Sequence, residues 1–162
     1  MSAAPQAVSE TRLDTPALID FILDRFHNTH RAELPELESL ARKIEGVHAG
    51  HPDCPKGLAD FISELADDLE MHMQKEEQVL FPMMRGGGHP MIVHPISMMR
   101  HEHVGHEDNL EVLRTKTNGF TVPADGCGSW QRLYAGLKKL HEDLSTHIAT
   151  ENGDLFPRFE RA

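Results

Sequence analysis

Basic residues are scarce in this 162-residue chain: 16 Lys and Arg stand against 26 Asp and Glu, for a formal net charge of -10. Nucleic acids and anionic membrane surfaces are gripped by a surplus of Lys and Arg, so both are excluded as expected partners. Long apolar runs are missing too, and none reaches the length that crosses a bilayer. The opening MSAAPQAVSETRLD has neither a basic start nor an apolar stretch and carries no secretory signal. Two cysteines, Cys54 and Cys127, are too few for a disulfide framework. These gaps point to the cytoplasm. The length suits one domain with a proper core. Residues 1–14 read as a flexible N-terminal lead-in, and 15–162 as the folded part.

Nothing reads as a strand. Four stretches instead repeat apolar residues at helical spacing. The first runs from about Thr15 to Val47, with Thr15 as N-cap, Pro16 in the first turn and Pro35 expected to kink or interrupt it. The second runs from about Lys56 to Arg85 and is broken by Gly86-Gly87-Gly88-His89-Pro90. The third carries Pro95 in its first turn and reaches about Asn118; the fourth runs from about Trp130 to Glu160. Four amphipathic helices with short connections imply an all-α, up-down-up-down four-helix bundle.

Aromatics are few, at 6%, but histidine is abundant, at 12 residues, and its placement is ordered. His72 to Pro82 and His147 to Pro157 both read H-x-x-x-E-x-x-x-L-F-P, an internal repeat. Each copy has an earlier histidine on the preceding helix, His27 for one and His103 for the other. On a helix, residues four apart share a face, so His72 with Glu76 and His147 with Glu151 each aim an imidazole and a carboxylate at one point. In an antiparallel bundle, residues equidistant from a turn sit at equal depth. The turns near 50, 87 and 125 therefore bring His27, His72, His103 and His147 to one level. Four histidines and two glutamates there form a site able to hold two ions, with both carboxylates bridging. Such ligands suit iron, zinc or copper. Ferritin-like sites read Glu-x-x-His, so binding or one-electron chemistry is favoured over iron storage.

The paired hairpins are similar to the HHE cation-binding domain of hemerythrin-like proteins. They resemble most the iron–sulfur cluster repair proteins called repair of iron centres. The matching stretches are His27 to Leu37, His72 to Pro82, Pro95 to His103 and His147 to Arg158. The resemblance implies metal ligands at His27, His72, Glu76, His103, His147 and Glu151. It implies two non-haem iron ions, carboxylate- and oxo-bridged, with nitric oxide or dioxygen as small ligand. It further implies a nitrosative or oxidative stress response, with damaged iron–sulfur proteins as partners. The other expectation is an oxygen-carrying or sensing module without repair. Longer members have an N-terminal domain with a cysteine pair, which these 162 residues are expected to lack.

Other residues get plainer readings. His48 lies 21 residues from His27, about 30 Å along a continuous helix, and is placed outside the centre. His30 and His106 read as polar residues at the bundle edge, with donors to the ligands as the alternative. His89, His94, His101 and His141 read as solvent or turn residues. The methionines read as core and turn packing. The Leu-Phe-Pro ends read as packing plus a helix-terminating proline. Cys54 and Cys127 fall in turns at one end of the bundle.

Overall fold

In a computed structural model, which describes residues 12–160, the chain forms four antiparallel helical rods, with no strand among the described residues. The first rod is α1 (Thr15–Ile22), a π-helical turn π1 (Leu23–His27) and α2 (Asn28–Val47). The second is α3 (Leu58–Lys75), π2 (Glu76–Leu80) and α4 (Phe81–Arg85). The third is α5 (Val93–Lys116); the fourth is α6 (Gly128–Thr150), π3 (Glu151–Leu155) and α7 (Pro157–Glu160).

The expected lead-in falls mostly outside the described residues. Within it, Asp14 caps α1 by accepting a hydrogen bond from the Ala17 amide at 2.9 Å, one residue before the predicted cap. Arg158 donates to the Leu13 carbonyl at 2.9 Å, tying the start of the first rod to the end of the fourth. Pro35 lies inside α2 without interrupting it. The glycine turn between the second and third rods needs its residue type: Gly87 and Gly88 have φ of 92° and 113°, where a Cβ would be strained.

The Leu-Phe-Pro segments differ from expectation. Neither proline ends its rod, because each follows a π turn. The amide of Phe81 bonds the Glu76 carbonyl, and that of Phe156 bonds the Glu151 carbonyl at 2.8 Å, both five residues back. Such a turn adds one residue and leaves one carbonyl without a helical donor, so a residue lacking N–H is tolerated just beyond it.

Apolar side chains form two buried clusters. One contains Leu34, Leu37, Ile62, Leu69, Trp130, Leu137 and Ile148; the other contains Ile19, Phe26, Leu80, Phe81, Ile96, Met99 and Phe156. Along every rod the candidate metal residues fall between members of the two clusters. A buried polar layer is thus enclosed by dry packing on both sides.

Candidate metal centre

The six predicted residues meet in that layer. His27, His72, Glu76, His103, His147 and Glu151 are all no more than 1% exposed. They form two overlapping quartets: His27, Glu76, His147, Glu151 and His72, Glu76, His103, Glu151. Within each quartet the donor atoms all lie within 4.8 Å of one another. Both glutamates belong to both quartets. Glu151 reaches His103 Nε2 through Oε1 at 3.0 Å and His147 Nε2 through Oε2 at 3.3 Å, one oxygen toward each side. Glu76 Oε1 lies 3.3 Å from both His27 Nε2 and His72 Nε2.

A cation fits this layer. Both oxygens of Glu76, both of Glu151, His27 Nε2 and His147 Nε2 are buried without a hydrogen-bond partner. Leaving so many polar atoms unpaired costs about 1–3 kcal/mol each, a cost that metal coordination removes. Burial pushes the Glu76 carboxyl well up, and the charge of Glu151 adds to that. Burial also opposes ionisation of Glu151, but His147 and His103 outweigh it and hold this carboxyl low. Without a positive charge between them the two carboxylates do not both ionise. Two of the imidazoles are held neutral, as metal ligands must be: burial pushes His72 down to about 2 and, ahead of His147, lowers His27 as well.

A model of the hemerythrin HHE cation binding domain matches residues 18–159. The chain is 47% identical over 141 residues to an iron-sulfur cluster repair protein YtfE of Musicola paradisiaca, covering 87% of this chain and 64% of that protein. It is 45% identical over 141 residues to a probable iron-sulfur cluster repair protein of Haemophilus influenzae, covering 87% of this chain and 63% of that one. The chain belongs to the hemerythrin HHE family. It spans just under two thirds of the length of these relatives.

In this HHE bundle the outer nitrogens of the four histidines are held as well. His27 Nδ1 meets Glu77 Oε2 at 2.6 Å, and His103 Nδ1 meets Asn152 Oδ1 at 2.8 Å. Glu77 and Asn152 each follow a glutamate shared by both quartets, Glu76 and Glu151, by one residue. The π turn opens the helix there, so successive residues serve the layer: one points inward and the next reaches the neighbouring rod. His72 Nδ1 meets Glu102 Oε1 at 3.2 Å. These three acceptors require N–H at Nδ1, which turns each Nε2 lone pair inward. His147 Nδ1 meets His30 Nε2 at 3.1 Å. The sequence reading missed Glu77, Glu102 and Asn152. Their signal was adjacency to a histidine or glutamate of the motif.

His30 and His106 are not at the bundle edge. His30 is fully buried and His106 is 7% exposed, with its ring 4.8 Å from that of His72. The phenylalanines of the repeat lie on the site: Phe156 stacks on His103 at 5.7 Å and Phe81 on His27 at 5.7 Å. His48 belongs to neither quartet; it contacts Trp130 and Cys127. Met73, Met84 and Met99 are buried, whereas Met71, Met91 and Met98 are exposed. Among the described residues no helix is long and apolar enough to cross a membrane.

Proposed function

We propose that His27, His72, Glu76, His103, His147 and Glu151 hold two iron ions. The chain then binds nitric oxide or dioxygen in the response to nitrosative or oxidative stress, and takes part in restoring damaged iron–sulfur proteins. The observation that carries this reading is the sharing of both carboxylates by the two quartets. Each ion is offered two imidazoles and an oxygen from each glutamate, which leaves an iron coordination sphere incomplete. The names of the relatives support iron over zinc and repair as the outcome.

When bound, iron supplies a redox-active Lewis acid with room for a diatomic ligand. The protein's own groups do the rest. Glu77, Glu102 and Asn152 fix the imidazole tautomers. Phe26, Phe81 and Phe156 exclude water from the apolar side. A surface cavity of about 310 Å³, lined by Asp68, Glu102 and His106 among others, gives small ligands an approach beside His72.

Metal analysis after iron reconstitution should find about two ions per chain, as two quartets require. The reduced, loaded protein should then change its visible spectrum on addition of nitric oxide. One ion per chain, or zinc with no colour, sinks the di-iron reading. Recovery of a damaged iron–sulfur enzyme by the loaded protein, beyond that given by free ferrous iron, tests repair. Ligand binding without that advantage returns the function to a carrier or sensor.

A gentler perturbation tests the tautomer argument. Glu77→Ala and Asn152→Ala should each weaken metal affinity by about 10–100-fold while leaving the helical content intact. Competition with a chelator measures this; affinities equal to the unaltered protein's remove the outer hydrogen bonds from the account.

A further inference from the structure

At the opposite end of the bundle a second cluster of reactive side chains has no part in the metal layer. Cys127 Sγ lies 3.3 Å from His48 Nε2. Their backbones occupy opposite poles of two long helices. Cys127 is the N-cap residue of α6, and its own side chain caps no amide. His48 is the C-cap residue of α2. A helix N-terminus favours a negative charge and a C-terminus a positive one. Moving the thiol proton from Sγ to Nε2 therefore places a thiolate and an imidazolium each at the helix end that stabilises it.

The surroundings complete the site. Trp130 lies beneath both imidazoles, with ring centroids 4.8 Å from His48 and 5.1 Å from His51. It is fully buried, and its Nε1 has no hydrogen-bond partner. The carboxylate nearest in sequence, Asp125, is taken up by His51 Nε2 at 2.9 Å and 3.0 Å. Cys127 is only partly buried, so a small molecule can reach it.

We propose that Cys127 is a reactive thiol, activated by His48, that undergoes thiol–disulfide exchange with low-molecular-weight disulfides. Cys127 Sγ gives its proton to His48 Nε2 and attacks one sulfur of the disulfide R–S–S–R. The Cys127–S–S–R bond forms as the reagent's S–S bond breaks, and the leaving thiolate takes the proton from His48. The Cys127 sulfur is oxidised and the leaving sulfur reduced, so electrons balance. Cys54 is a natural internal comparison. It lies in a turn at the same end, but burial and then the Glu45 carboxylate push its thiol up, and its Sγ is directed to the Glu45 carbonyl rather than to an imidazole.

The test treats the metal-loaded full chain with glutathione disulfide and follows each cysteine by peptide mass spectrometry. Cys127 should be glutathionylated about tenfold faster than Cys54, as expected for a thiol in contact with an imidazole base against one that burial and a carboxylate push up. His48→Phe, which keeps a ring over Trp130 but has no base, should bring Cys127 down to the rate of Cys54. Thermal melting confirms that the variant is folded. Equal rates at the two cysteines in the unaltered protein overturn the proposal without need of any variant. An unchanged Cys127 rate in folded His48→Phe overturns the role of His48.

Discussion

Glu151→Ala should leave the protein with one metal ion or none, and Glu76→Ala should do the same. Each carboxylate belongs to both quartets, so one substitution would remove a donor from both proposed ions at once. It also removes half the negative charge that balances them. The loss should exceed the roughly 10–100-fold typical of disturbing an outer hydrogen bond. A histidine substitution is milder, because each imidazole belongs to a single quartet. His72→Ala should therefore empty one position more than the other, giving a content between those of the glutamate variants and the unaltered chain. His48→Ala should keep the full complement, since His48 contacts only the far end of the bundle. Elemental analysis of the four purified variants decides the order. Full metal content in Glu151→Ala, or loss in His48→Ala equal to that in Glu76→Ala, ends the shared-carboxylate reading.

That the six residues converge was legible because it needs only two periodicities. A spacing of four puts histidine and glutamate on one helical face, and equal distances from turns put neighbouring rods in register. Neither argument depends on side-chain detail. The π turns were not legible, because they alter the helical period only locally. Pro82 and Pro157 carried the trace of them. Read as terminators, they hid the extra residue that lets Glu76 and Glu77, or Glu151 and Asn152, serve two rods at once. His30 was misplaced because the ligand count was complete without it. It is three residues after His27 on ordinary α-helix, where that spacing keeps the same face, and it is fully buried against His147. For Glu77, Glu102 and Asn152 adjacency to a motif residue marked the position, but the partner of each lies on another rod and was not legible.

Removing the metal should make the fold sensitive to mild acid. In the metal-free protein burial, ahead of neighbouring imidazoles, holds His72 at about 2 and His30 at about 3; burial and then His103 hold His106 at about 4. His27 is lowered as well, first by burial and then by His147. In the unfolded chain all four titrate near the ordinary histidine value of about 6.5. Below that value the unfolded chain binds protons that the folded chain refuses, so stability falls as pH falls. At about pH 5 His72, His30 and His106 each cost up to about 2 kcal/mol, an upper limit because local opening relieves part of it, and His27 adds in the same direction. Glu151, held low, adds to the loss in stronger acid. Glu76 runs the other way: its raised carboxyl keeps a proton that the unfolded chain releases, so its burden grows as pH rises. One carboxyl against four imidazoles leaves the net slope downward toward acid. Urea midpoints of the metal-free protein should thus pass through a maximum at about pH 7, falling gently above it through Glu76 and dropping steeply between about pH 6.5 and 5. At neutral pH the loaded protein should show a much higher midpoint, because metal bound only to the folded state adds its binding free energy to stability. His106→Gln lies outside both quartets, so it should shallow the acid slope of the metal-free protein by about one proton without emptying the loaded one. A level midpoint from about pH 7 to 5 in the metal-free protein contradicts the picture of a neutral imidazole layer waiting for cations.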